Sequence, residues 1–187
     1  MNKTKSIVGI GLFTAIVVVL QLLGGGIRFG VFSISLVLLP IVVGSALYGW
    51  SGGAWLGFAF GVTVLISGDA APFLAVDILG TVLVVLVKGT MCGLIAGLVY
   101  KLLEKCNRVV AVFGAAFICP VVNTGVFLLG CKIFFLPTIT EWAAMYGYEN
   151  AATYMFLGLA GINFLVELVT NILLAPVITQ LIKQGKK

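Results

Sequence analysis

Apolar runs of membrane-crossing length fill most of the chain, and short polar breaks separate them. They cover residues 6–23, 33–48, 54–67, 79–100, 109–131 and 154–182. A helix that crosses a bilayer needs roughly 20 mostly apolar residues. Several runs approach that length; the second, with Pro40 inside it, and the third are short. Gly24, Gly25 and Gly26 end the first run, Ser67, Gly68 and Asp69 follow the third, and a basic segment at 101–108 closes the fourth. The pattern predicts an all-α integral membrane protein, a six-helix transmembrane bundle. It forms one domain over residues 1–187, because no linker or low-complexity run divides it.

Composition points the same way. The 187 residues are 61% hydrophobic and 9% charged, whereas soluble domains carry about 25% charged residues. The net charge of +5 resembles a nucleic-acid signal, but topology explains it better. With the N-terminus inside, Lys3, Lys5, Lys101, Lys105, Arg108, Lys183, Lys186 and Lys187 are cytoplasmic, and Arg28 and Lys132 are external. That asymmetry predicts cytoplasmic N- and C-termini and an even number of spans, with no nucleic-acid partner. The first run is long and lacks an A-x-A-like site, which favours a retained helix over a cleaved signal.

Small residues recur every four positions, and such residues share a helix face. Gly49, Gly53, Gly57 and Gly61 form one ladder, Gly89, Gly93 and Gly97 a second, and Gly11 with Ala15 a shorter one. A face without side chains lets another helix approach closely. Two uses fit: packing within the bundle, or docking of another membrane subunit. Gly11, Ala15, Gly53 and Gly57 are the candidate docking residues, in the half spanning residues 1–66.

Polar residues form a second pattern. Lys88 sits inside the fourth apolar run, where an ammonium costs a few kcal/mol and must find a partner, a cavity or a ligand. Asn163, Glu167 and Asn171 make a stripe about 12 Å long on the sixth run, at 1.5 Å per residue. Asn123 and Thr124 lie in the fifth run. Lys88, Asn123 and Asn163 fall at one depth in the outer half of the membrane, with Glu167 slightly deeper. One reading is a Lys88–Glu167 ion pair with amides as structural glue; the other is a polar pocket for a hydrophilic solute, within residues 79–182. The two are compatible.

Between the fifth and sixth runs lie Phe134, Phe135, Trp142, Tyr146 and Tyr148. Thr138 and Glu141 stand at capping-box spacing and predict a short external helix. Its aromatics, Trp142 and Tyr146 among them, suit either an interfacial belt or a stacking lid over a ring-bearing ligand.

Several chemistries are absent. The chain has no His, no P-loop sequence, no nucleophile elbow and no metal-ligand cluster. The four cysteines, Cys92, Cys106, Cys119 and Cys131, have no C-x-x-C spacing. No catalytic residue, cofactor or metal is expected, so an enzyme is not. A binding subunit driven by an external motor fits better; a stand-alone channel or facilitator and a ligand-free structural protein are the alternatives.

Residues 29–40 (FGVFSISLVLLP), residues 46–50 (ALYGW) and the glycine ladder after them resemble the substrate-binding S component of energy-coupling factor (ECF) vitamin transporters. The resemblance covers essentially the whole chain. It implies high-affinity binding of a vitamin or related micronutrient from outside, in the multi-pass membrane of a bacterial cell. The implied pocket is built from spans four to six and roofed by the external loops. The implied partners are a transmembrane T subunit, docked on a small-x-x-x-small face that maps to Gly11 and Ala15, and two cytoplasmic ATPase subunits. The acidic run that riboflavin-binding members carry before the proline is missing here, which counts against riboflavin. Lys88 then suggests a substrate with a carboxylate, such as pantothenate.

Overall fold

The computed structural model describes residues 3–26, 28–29, 32–33 and 36–185. Positions Gly30, Val31, Ile34 and Ser35 of the 29–40 motif, and the terminal Lys186 and Lys187, lie outside the described residues. In chain order the elements are α1 (Lys3–Gly26), β1 (Arg28–Phe29), β2 (Phe32–Ser33), α2 (Leu38–Ser67), α3 (Ala71–Leu74), α4 (Ile78–Leu103), α5 (Arg108–Phe134), α6 (Leu136–Met145) and α7 (Ala151–Thr153). A π-helical segment, Tyr154–Ala160, then leads into α8 (Gly161–Leu173) and α9 (Ala175–Gly185). The two short strands pair antiparallel, Arg28 with Ser33 and Phe29 with Phe32.

Among the described residues, five helices are long and apolar enough to cross a membrane: Thr4–Gly24, Leu38–Ser67, Ile78–Leu103, Arg108–Phe134 and Ala151–Leu173. The sequence pattern predicts six spans, and the difference lies in α2. Its backbone is non-helical at Gly49, with φ 80° and ψ −179°. A Cβ at Gly44 would strike Leu56, and one at Gly53 would lie 2.6 Å from the Ser45 Cβ. A straight helix would separate residues 44 and 56 by about 18 Å. The chain therefore doubles back at Gly49, and residues 38–48 and 50–67 are antiparallel limbs of a hairpin. A positive φ of this kind suits glycine, which has no Cβ. A single such residue replaces the connecting loop expected around residues 49–53.

The second limb of α2 lies antiparallel on α4, glycine against glycine. A Cβ at Gly57 would collide with the Gly89 carbonyl oxygen, and one at Gly89 with the Gly57 carbonyl oxygen. Gly53 and Gly93 oppose each other in the same way. At Gly61 the nearest atom would be the Val85 carbonyl oxygen at 2.9 Å, and at Gly97 the Trp50 Cα at 2.6 Å. The two ladders read from the sequence are the two halves of one internal seam. This corrects the assignment of Gly53 and Gly57 to subunit docking, because the α4 backbone already fills their face.

Asn107 caps α5, accepting from the Val109 N–H at 2.8 Å and the Val110 N–H at 3.4 Å. The short helix after α5 forms, but not by the predicted capping box. It begins at Leu136, with Phe135 as N-cap and no side-chain cap bond. The Ile139 N–H bonds to the Phe135 carbonyl at 2.9 Å and the Phe135 N–H to Cys131 at 3.0 Å. α6 thus grows almost directly from the end of α5, which leaves Thr138 no free helix start to cap. The sixth apolar run is also divided, at Gly161 (φ 40°, ψ −139°) and again at Leu174, just before Pro176. Proline is tolerated there because the first turn of a helix leaves its N–H groups unpaired.

Two apolar clusters organise the interior. The larger joins α1, α2, α4, α5 and α9 through residues such as Val17, Ile41, Leu56, Cys92, Cys119 and Ile178. The smaller gathers Val84, Leu128, Cys131, Phe135, Ile139 and Tyr154. Along α4 and α5, Lys88 and Asn123 fall at the junction between them.

Candidate functional site

Lys88 is ten residues into α4 from Ile78, about 15 Å along the axis at 1.5 Å per residue. Its Nζ lies 5.0 Å from the ring centroid of Phe127 on α5 and 5.9 Å from that of Phe60 on the second limb of α2. An ammonium over an aromatic face gains about 0.5–2 kcal/mol, more as water is removed. Two rings from two helices thus hold the charge. Glu167 on α8 is near enough for the two charges to interact, but no ion pair within 4.0 Å joins them among the described residues.

Asn123 belongs to the same seam. Lys88 meets Phe127 and Val84 faces Gly130, which sets the α4–α5 register, and Cys92 and Cys119 are buried in one apolar cluster. Asn123 stands four residues from both Cys119 and Phe127, so the three share one face of α5. In this antiparallel register Asn123 lies one turn along α5 from the ring that faces Lys88, about 6 Å at 1.5 Å per residue. Its side chain is 7% exposed, and its Oδ1 is buried without a hydrogen-bond partner among the described residues. A buried acceptor left unsatisfied costs about 1–3 kcal/mol.

The α8 stripe supplies the third wall. Asn163 is half-buried in the first turn of α8, and Glu167 is half-buried one turn further on. Asn171 is fully buried; its Nδ2 donates to the Glu167 carbonyl at 2.8 Å, and its Oδ1 also has no partner among the described residues. Carbonyl bonding of this kind is what an amide inside an apolar helix does when no neighbour reaches it.

An aromatic chain runs from Lys88 toward the end of the bundle that carries α3 and α6. Phe73, on α3, packs edge-on against Phe127 at 5.6 Å, Phe135 at 5.1 Å and Trp142 at 5.4 Å. Such edge-to-face arrangements are the favoured geometry for ring pairs. Trp142 is therefore joined to Lys88 through two rings. Tyr146 is not: it is exposed and stacks on Tyr154 at 5.7 Å, beside Tyr148. At the same end the Asp69 carboxylate accepts from Gln21 Nε2 at 2.6 Å and from Ser67 Oγ at 2.9 Å, tying α1 to the turn after α2.

Sequence reasoning misses Phe60, Phe73 and Phe127, because phenylalanines in an apolar chain carry no polar signal. Only the four-residue step from Asn123 to Phe127 could have marked one of them. Of the candidate docking residues, Gly11 and Ala15 lie on the exposed face of α1, and a Cβ at Gly11 would meet nothing within 4 Å.

Comparison with known proteins gives one match. A family model described as "ECF transporter, substrate-specific component" matches residues 5–179. No curated protein and no solved structure matches the chain.

Proposed function

Because the chain belongs to the ECF transporter substrate-specific component family, we propose that it binds an anionic vitamin or related micronutrient, such as pantothenate, for ATP-driven import. The observation that carries the anion is Lys88: a half-buried lysine within a span, its ammonium is faced by the rings of Phe60 and Phe127 rather than by an ion-paired carboxylate. A ligand carboxylate there answers the charge and places the ligand against Asn123, Asn163 and Glu167, with Trp142 toward the mouth. Tyr146 belongs at most to the outer rim of that site.

The hairpin in α2 supports six crossings, because each of its limbs runs opposite to the other. An even number of crossings with the basic residues inside gives cytoplasmic termini. Residues 1–66 and 79–182 then divide the work between docking and binding, in one domain. The exposed Gly11–Ala15 face of α1 is the surface for a transmembrane T subunit, and two cytoplasmic ATPase subunits supply the energy. This chain then sits in a bacterial cell membrane and catalyses nothing itself.

Isothermal titration of the purified chain against vitamins, with mass spectrometry of co-purified subunits, tests the reading. Binding of a carboxylate vitamin and capture of T and ATPase subunits are expected. Binding only of neutral or cationic vitamins, undiminished in Lys88→Ala, would rule out the anion. Solute flux through liposomes holding this chain alone would instead favour a facilitator.

A further inference from the structure

The unpartnered acceptor one turn from the Phe127 ring narrows the ligand's chemistry beyond its charge. Asn123 lies on the α4–α5 seam, one turn of α5 from the Phe127 ring that faces the ammonium. It is more than nine-tenths buried, and its Oδ1 meets no donor among the described residues. A buried carbonyl in that position is satisfied only by an N–H or O–H group.

We infer that Asn123 is a specificity-determining residue: its carbonyl accepts a hydrogen bond from an N–H or O–H donor on the same small anion whose charged group sits on Lys88. The inference rests on the transport reading above and deepens it. The ligand carries two features, an anionic group and a separate donor. An anion without the donor leaves Asn123 unsatisfied, and a neutral analogue leaves Lys88 unanswered. Sites that bury a polar group discriminate strongly against analogues lacking its partner, because the group is then stranded.

The same observation distinguishes a ligand-facing amide from a structural one. An amide that holds helices together stabilises the ligand-free protein, so replacing it with an apolar residue lowers the melting temperature. An amide with a stranded acceptor does the reverse: Asn123→Leu removes the stranded group and is neutral or stabilising without ligand.

The test titrates the purified full chain, wild type and Asn123→Leu, with paired probes: pantothenate and pantothenol, biotin and biotinamide, nicotinate and nicotinamide. Pantothenate and biotin carry both the anion and a donor, whereas nicotinate carries the anion alone. At least one of the first two is expected to bind, with its neutral counterpart and nicotinate each at least ~10-fold weaker. Asn123→Leu should weaken the binding acid by ~10-fold or more without lowering the ligand-free melting temperature. The inference is overturned if neither acid binds, if a neutral counterpart or nicotinate binds as well, if the variant binds like wild type, or if it melts lower. Capture of the T and ATPase subunits, measured in parallel, reports on the transport reading separately. Capture with a failed titration overturns only the assignment to Asn123, whereas absence of capture together with absence of binding overturns both.

Discussion

Helix α4 packs against α2 on one side and α5 on the other, and the two seams are built by opposite means. Toward α2 it presents Gly89 and Gly93, whose backbone oxygens meet the backbone of Gly57 and Gly53. Toward α5 it presents Lys88, whose ammonium meets the Phe127 ring, and Cys92, buried in one apolar cluster with Cys119. The glycine contacts of the first seam leave no room for side chains; lipid offers no hydrophobic drive, so close packing must hold such helices together. The second keeps a charge and a stranded amide, both costly in an apolar interior. A rigid seam on one face of a helix is what lets the neighbouring face, about 100° round, carry groups that do not stabilise the fold. Residues that repeat as Gly are therefore structural here, and residues that interrupt the apolar pattern are the chemical ones.

The largest effect should come from adding one carbon to the first seam. Gly57→Ala and Gly89→Ala each place a Cβ into a facing carbonyl oxygen. Because backbone cannot swing aside as a side chain does, the cost should reach ~3 kcal/mol or more. That corresponds to a melting temperature lowered by ~6–12 °C for a chain of this size, or to no folded protein at all. Differential scanning fluorimetry in detergent checks it, and wild-type melting in both variants would dissolve the contrast between the seams.

Next comes the charge on the second seam. Lys88→Met should reduce binding of a carboxylate ligand by ~30-fold or more, as expected when a buried charge loses its partner. The ligand-free protein should melt within a few degrees of wild type. If Lys88 instead served mainly as half of an ion pair with Glu167, removing it would strand the carboxylate and cost ~3–5 kcal/mol. Melting and titration of Lys88→Met, Glu167→Gln and the double variant separate the two. A large single-variant loss of stability that the double variant recovers would make this seam structural as well.

Much of this contrast is legible in the sequence, and the illegible part has physical causes. Glycine spacing and the intramembrane Lys88, Asn123 and Glu167 stand out against an apolar background, so both seams are visible before any fold is known. Which ladder meets which is not visible, because a glycine face looks the same whether the approaching helix belongs to this chain or to another. Gly53 and Gly57 therefore read as docking residues until α4 is seen to cover them. The reversal at Gly49 is hidden for a related reason: one residue of positive φ does the work of a loop, and glycine elsewhere in the same ladder remains helical. The aromatic wall is hidden because Phe60, Phe73 and Phe127 come from three distant stretches of an apolar sequence.

A smaller effect sharpens the role of that wall. Phe127→Leu keeps an apolar side chain but removes the ring face 5.0 Å from the Lys88 ammonium and the edge contact with Phe73 at 5.6 Å. Losing one cation–π contact and one ring pair should cost ~1–2 kcal/mol in the ligand-free protein, seen as a drop of several degrees in melting temperature. In a Lys88→Met background the same substitution should cost less, since the cation is already gone. Equal losses in both backgrounds would show that Phe127 only fills space.

The smallest effect is the same one-carbon change where nothing opposes it. Gly11 lies on the exposed face of α1, and a Cβ there meets no atom within 4 Å. Alanine is the better helix former, by up to ~1 kcal/mol, so Gly11→Ala should leave the melting temperature unchanged or raise it by ~2–4 °C. The sign is therefore opposite to that at Gly57, although both positions carry a four-residue spacing of small residues. If Gly11 is the docking face for a T subunit, the added methyl, and still more Gly11→Leu, should reduce co-purification of that subunit while the isolated chain stays folded. A Gly11→Ala chain that melts well below wild type would mean that α1 buries this face inside the bundle, and the division between inward and outward ladders would fall with it.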